Sequence, residues 1–363
     1  MKIGLYTPYL DTFGGGERYM LAIAEILSKK GDVDILLDQH LEDMNPKKII
    51  KVSQDRFNLD LSKVRLVKAP LGKGSNLIKR NIFLKKYDLL IYLTDGSIFY
   101  STAKKSIIHI QSPLINPKIN NIWNKVKLRS WDLIVYNSNF TKENAEKYWK
   151  LRSKVIYPPV DVKNIKPFKK EKIILSVGRF FGYLKDEQSS SSNKKHELLI
   201  SEFKKLVDGK SLDDWSLYLA GSASEGDKEY IEHLKKLSEG YKIYLMPNLN
   251  FSELIKLYGD ASIYWHALGY GEDNPTKLEH FGITTVEAMS AGCVPVVINK
   301  GGQKEIVKHW ESGFLWNDTK ELKELTLKLI NDNKLLEKLS KGAINRSRNF
   351  SKEKFQNEIL GLL

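Results

Sequence analysis

The stretch Glu279-His280-Phe281-Gly282-Ile283-Thr284-Thr285-Val286-Glu287-Ala288-Met289-Ser290-Ala291-Gly292 decides how the chain reads. Two carboxylates stand eight positions apart, with a loop-to-helix transition between them. Gly282 lets the backbone approach a ligand closely. Thr284 or Thr285 is expected to cap the helix, because a hydroxyl accepts a bond from a free amide of the first turn. Amides at a helix start, with the helix dipole behind them, favour an anion such as a phosphate. Glu279 then lies in the loop before the helix and Glu287 one turn inside it. One carboxylate is placed for a group beyond the phosphates, the other for a sugar diol on the near side. Cys293-Val294-Pro295-Val296-Val297 and Gly301-Gly302 follow directly, which sets the string apart from an amphipathic helix with surface glutamates.

Outward from that stretch, strands and helices alternate, so each half of the chain is expected to form a parallel sheet. Strands are predicted over residues 3–7, 33–37, 89–93, 106–110 and 133–136, and again over 173–177, 216–220, 242–245, 263–265 and 294–298. A helix is predicted from about Glu17 to Lys29 and another from Asn137-Ser138-Asn139-Phe140-Thr141 to about Trp149. Tyr157-Pro158-Pro159-Val160-Asp161 reads as a hinge, since two prolines exclude helix and stiffen the segment. The expected domains are 1–160, 161–345 and a final helix over 346–363. Gly182 to Asn193, with its serine run, reads as a loop of low complexity.

The 363 residues suffice for two buried cores. The lone cysteine, Cys293, sits in an apolar run and reads as a small buried hydrophobe. Met1-Lys2-Ile3-Gly4-Leu5-Tyr6 reads as a strand rather than a signal peptide, and no apolar run is long enough to span a bilayer. A cytoplasmic protein, soluble or peripheral on the membrane, is expected. The net charge of +14 is uneven: residues 1–164 hold 28 Lys and Arg against 16 Asp and Glu, the remainder 30 against 28. Residues 47–86 hold 12 basic and 2 acidic residues. A polyanionic partner for the first half follows. Within residues 73–86, a helix from about Ser75 places Leu77, Ile78, Ile82 and Phe83 on one side, flanked by Lys79, Arg80, Lys85 and Lys86. Basic residues beside an apolar stripe suit an anionic lipid surface.

Other residues point to the same chemistry. Gly14-Gly15-Gly16-Glu17-Arg18-Tyr19 follows the first strand and opens a helix, so Gly15 and Gly16 allow close backbone approach beside free amides. The glycine spacing is not that of the dinucleotide fingerprint. Arg179, after Val177-Gly178, sits at a strand end, where ligands of open parallel sheets lie. Its guanidinium suits a diphosphate, which it can bond bidentately. His109 ends the apolar run Ser106-Ile107-Ile108-His109-Ile110. Ser138 and Thr141 are equally well explained by helix capping. Glu272 and Asp273 lack an apparent third ligand, so no metal is expected.

The Glu279–Glu287 string resembles the Glu-x7-Glu motif of retaining glycosyltransferases of the GT-B fold, in the large family 4 (glycosyl transferases group 1). The match runs on through Pro295, Gly301, Gly302, Glu305, Ile306 and Gly313. The run His266-Ala267-Leu268-Gly269-Tyr270-Gly271-Glu272-Asp273 brings it closest to the lipid-linked-oligosaccharide mannosyltransferases. The resemblance implies an α/β molecule of two Rossmann-like doubly wound domains facing a cleft. It implies retaining transfer of a hexose, with mannose from GDP-mannose favoured and a UDP-sugar possible, to a glycan or lipid-linked acceptor. No cofactor and no metal are needed, because Arg179, a downstream lysine and the amides of Gly282, Ile283 and Thr284 would neutralise the leaving diphosphate. The lysine is Lys194 by register, with Lys195 and Lys185 as competitors. Glu287 would hold the ribose and Glu279 the transferred sugar. Gly15, Gly16 and His109 would approach from the first domain. A nucleic-acid-binding protein is the rival class, but the basic patches of the first half lack the interleaved aromatics and recognisable modules such proteins usually show, so no nucleic acid is expected. A nucleotide-sugar epimerase or a phosphorylase of the same fold is the rival among enzymes.

Overall fold

A computed structural model describes residues 1–11, 14–41, 45–115, 121–181, 194–209, 212 and 214–363, with the side chains of 48, 55 and 56 excepted. The insert at 182–193, and Lys185 within it, lies outside the described residues. The strands are β1 Lys2–Tyr6, β2 Asp32–Leu37, β3 Val64–Lys68, β4 Leu89–Leu93, β5 Lys105–Ile110, β6 Leu133–Tyr136, β7 Ser153–Val155, β8 Glu171–Val177, β9 Ser216–Gly221, β10 Ile243–Pro247, β11 Ala261–His266, β12 Val294–Ile298 and β13 Phe314–Trp316. Among the described residues they form two parallel sheets, of order β3-β2-β1-β4-β5-β6-β7 and β10-β9-β8-β11-β12-β13. The central strands are near-continuous apolar runs because helices cover both faces of such a sheet. β4 and β12 are buried at every residue.

In each sheet the order reverses beside the first strand of its half. β1 pairs with β2 on one side and β4 on the other, and β8 lies between β9 and β11. The carboxyl ends of strands at such a reversal are where doubly wound sheets bind ligands. Val177, His266 and Ile298 end three neighbouring strands of the second sheet; Tyr6 and Ile110 end two strands of the first.

The chain divides into two compact units, Met1–Pro159 with Glu353–Leu363, and Val160–Lys352. In the first, Leu5, Ile23, Leu27, Ile35 and Leu93 join a core that also holds Phe355, Ile359 and Leu362. Phe355 meets Tyr19 edge to face at 5.0 Å. In the second, Phe203, Leu217, Trp265, Val296 and Trp316 form the centre. The helix that opens near Asn139 ends at Ala145 rather than near Trp149. Trp149 is fully buried, and its amide bonds back to the Ala145 carbonyl in the turn that seats it.

Candidate active site

In the second unit, β8 runs into Gly178 and Arg179. A Cβ on Gly178 would stand 2.6 Å from the Lys194 Cγ, so the missing side chain makes room for that lysine. Lys194 precedes the helix His196–Asp208 and lays its stem across Gly178. Its ammonium donates to Glu279 Oε2 at 2.7 Å. Lys195 turns away through a left-handed backbone (φ +60) and bonds Glu272 at 3.3 Å. Of the two adjacent lysines, Lys194 is the one that meets the motif carboxylate.

Glu279 lies in the loop before the motif helix, and its carbonyl accepts from the Gly302 amide at 2.7 Å. Its side chain is 19% exposed and also meets His266 Nε2 at 3.2 Å. Burial alone would raise the Glu279 carboxyl, but the Lys194 charge and the His266 hydrogen bond outweigh it and hold it well below the usual carboxylate range. Burial pushes the His266 imidazole down, partly offset by Glu279. A neutral ring donating from Nε2 fits both directions. His266 Nδ1 is then a buried acceptor without a hydrogen-bond partner. A carboxylate held ionised this way cannot serve as a proton donor at neutral pH; it can accept hydrogen bonds and orient what makes them.

The motif helix spans Ile283–Ser290 and its cap is Gly282, at φ +116, not a threonine. Only glycine takes that conformation without strain. Thr284 instead accepts the Tyr264 hydroxyl at 2.8 Å, which removes it from capping. The Thr285 amide already bonds the Gly282 carbonyl at 3.1 Å, so the amides that the helix ladder leaves over are those before it. Gln303, fully buried with both amide atoms unbonded, packs against Gly282: a Cβ there would meet its Nε2 at 2.6 Å. Glu287, one turn in, is 5% exposed and accepts the Tyr258 hydroxyl at 3.1 Å. Burial and the Glu287 charge push the Tyr258 phenol well up, which keeps it a donor.

Arg179 is exposed and stacks over Phe181, 4.3 Å from the ring centroid. No hydrogen bond or ion pair joins it to Lys194 or Glu279. The structure thus brings Lys194 and His266 onto Glu279, while Arg179 packs on Phe181. Glu272 faces Lys195 and Lys277, and Asp273 faces Lys300.

In the first unit, the helix Gly15–Leu27 begins after Gly14, whose amide donates to the Glu17 carboxylate at 2.7 Å. A Cβ on Gly16 would meet the Gln111 Oε1 at 2.9 Å. Gln111 joins this glycine to His109: its amide lies 2.8 Å from His109 Nε2 and 3.4 Å from the Gly16 carbonyl. His109 is fully buried, stacks on Tyr19 at 4.0 Å and bonds the Val135 carbonyl through Nδ1 at 2.9 Å. Burial pushes its imidazole down to about 3. The ring is neutral, with Nδ1 donating and Nε2 accepting. Ser138 caps the next helix through the Thr141 amide at 3.0 Å. Sequence reasoning passed over Gln111, Gln303 and Tyr264. Gln111 follows His109 by two residues and was legible as a strand-end polar; Gln303 and Tyr264 carry no local signal.

A family model described as glycosyl transferases group 1 matches residues 160–346. The chain is 27% identical over 250 residues to the Dictyostelium discoideum GDP-Man:Man(3)GlcNAc(2)-PP-Dol alpha-1,2-mannosyltransferase, covering 63% of this chain and 46% of that protein. To the Xenopus tropicalis protein of the same name it is 26% identical, covering 86% of this chain and 76% of that one. In structure it is similar to Anabaena HepE, solved with UDP and glucose, at a TM-score of 0.69 and 18% identity, over 100% of this chain and 99% of the other. The two parallel sheets are those of the GT-B fold.

Proposed function

The chain belongs to the glycosyl transferases of group 1, and from that we propose that it transfers a mannosyl group from GDP-mannose to the glycan of a lipid-linked acceptor. The names of the relatives support the donor and acceptor. The observation that carries the reading is the Lys194–Glu279 pair set before the Gly282-capped helix. Arg179, Lys194 and the amides of Gly282, Ile283 and Thr284 hold the diphosphate, and no metal is required of them. Charge stabilisation of a leaving group in such a site is usually the largest catalytic term. Glu287 holds the ribose hydroxyls, and Glu279 accepts from hydroxyls of the transferred sugar.

We propose a retaining, front-face route. The bond from the anomeric carbon to the diphosphate oxygen breaks, the acceptor oxygen bonds that carbon on the same face, and the acceptor proton passes to the departing phosphate. Glu279, held ionised by a lysine and a histidine, supports this over a role as acid. His109 has both ring nitrogens engaged, so its assigned part is to hold Gln111 beside Gly15 and Gly16.

We further propose that the protein is peripheral on the inner face of a membrane. In the helix Leu77–Leu84, Leu77, Ile78 and Ile82 are 63%, 71% and 63% exposed. Arg80 does not flank them: it is buried over Phe99, and only Lys79, Lys85 and Lys86 remain as the basic rim. Among the described residues, no helix is long and apolar enough to cross a membrane.

Calorimetric titration with a panel of nucleotide sugars, with and without EDTA, tests the donor and the metal. GDP-mannose binding and transfer to a lipid-linked oligosaccharide with EDTA present is expected. Preference for a UDP-sugar would overturn the base assignment. Loss with EDTA, restored by magnesium or manganese, would overturn the metal-free route. Free mannose or an epimer as product would favour the rival enzymes.

A further inference from the structure

A second helix of the first unit, Ile122–Leu128, turns its apolar side outward. Ile122 is 72% exposed, Trp123 74% and Val126 44%, while Leu128 is buried. At about 100° per residue, Lys125 and Arg129 fall along one edge of that apolar side and Lys127 along the other. No acidic residue occurs from Ser97 to Trp131. Beside the helix lies a cavity of about 340 Å³ lined by Lys125, Arg129, Lys147, Lys150, Leu128 and Tyr148. None of its four cations has a carboxylate partner among the described residues; the nearby Glu146 pairs with Lys142. Four like charges around one cavity repel one another and are relieved by an anion. Guanidinium and ammonium groups suit phosphate oxygens in particular.

We propose that this cavity binds the phosphate of an anionic lipid headgroup while Ile122, Trp123 and Val126 enter the acyl boundary. Lys125 and Arg129 sit on or at the end of the helix that carries the apolar residues, Lys147 and Lys150 line the same cavity from another segment, and this combination selects a lipid. A soluble phosphate has no use for exposed isoleucine and valine, and a nucleic acid would use stacked aromatics in series. Tryptophan is favoured where water meets hydrocarbon, and cations beside such a helix favour anionic lipid. The residues are distinct from those of Leu77–Leu84, so the site adds a second contact to the membrane reading above, on which it rests.

The test is flotation of the full chain with vesicles of phosphatidylcholine alone or mixed with phosphatidylglycerol. Four proteins are compared with the parent: Trp123→Asp; Lys147→Glu with Lys150→Glu; the control Lys334→Glu with Lys338→Glu; and Lys79→Glu with Lys85→Glu and Lys86→Glu. Binding to the mixed vesicles is expected. It should fall about tenfold in each of the first two variants and stay unchanged in the control. Brominated lipid should quench a fluorescence component of the parent that Trp123→Phe lacks. Equal flotation of the Lys147/Lys150 variant and the parent, with loss only in the Lys79 variant, would overturn this site and leave the first helix. No flotation by the parent would overturn both. Calorimetric binding of inorganic phosphate lost in the Lys147/Lys150 variant, without flotation, would make the cavity a site for a free anion. Displacement of bound vesicles by RNA would point to a nucleic acid instead.

Discussion

Glu279 and Glu287 are the same residue type in one motif, yet the fold holds them in different ways. Glu279 is held by a lysine and a histidine, Glu287 by a tyrosine hydroxyl inside a helix. Glu287→Gln keeps the shape and the Tyr258 bond but removes the charge. A hydrogen bond to a charged group contributes about 1.5–3 kcal/mol, so nucleotide affinity should fall at least about tenfold by calorimetry. Glu279→Ala should lower kcat with little change in nucleotide affinity; an unchanged affinity in folded Glu287→Gln would remove the ribose assignment. A second consequence at this scale concerns acid. Burial pushes the His109 and His196 imidazoles down to about 3, and His266 down as well. Below about 6.5 the unfolded chain takes up protons that the folded one refuses, so stability falls as pH falls from about 6.5 toward about 3. His109 and His196 each contribute a slope of up to about 1.4 kcal/mol per pH unit within that window. His196 stacks on Phe180 at 4.8 Å with Nε2 unbonded, so His196→Phe should flatten the loss between pH 6 and pH 4 in urea titrations. Parallel slopes for variant and parent would mean that His196 titrates normally in the fold.

Secondary elements carry the next lesson. Gly178 has no left-handed φ, but a methyl there would collide with the Lys194 stem at 2.6 Å. Gly178→Ala should therefore displace Lys194 from Glu279 and cut kcat about tenfold, while the thermal midpoint moves by only a few degrees. Full activity would show that the seat of Lys194 is not used. The ten strands read from sequence all form, since each is an apolar run between turn residues. The three that went unread, β3, β7 and β13, all stand at sheet edges. An edge strand pairs on one side only, so its burial is patchy: β7 has no buried residue and β3 only Val64. Hydrophobic run length, the signal that reveals a central strand, is missing there. Within the site, the glycines and charged residues of the motif were legible because their types are unusual in that order. The cap at Gly282 and the inward turn of Arg80 were not, because each depends on a residue distant in sequence, Tyr264 taking Thr284 and Phe99 lying beneath Arg80.

Across the whole molecule, the segment Glu353–Leu363 belongs to the first unit although all of Val160–Lys352 intervenes. Phe355 is 3% exposed and meets Tyr19 edge to face, and Ile359 is fully buried in the same core. Truncating a buried phenylalanine costs about 3–5 kcal/mol, so Phe355→Ala should loosen the first unit and leave the second intact. Limited proteolysis should then cut first within residues 1–159; equal cleavage of both units would refute the assignment. The arrangement also bears on how the protein is made. Residues 1–159 leave the ribosome first, yet the side chains that close their core are added only after the second unit has been synthesised. At about 5–20 residues per second that is a delay on the order of 10–40 s. Throughout it the face that Phe355, Ile359 and Leu362 come to cover has no cover from its own chain, so a nascent chain stalled before Glu353 should hold a chaperone that the released protein no longer needs.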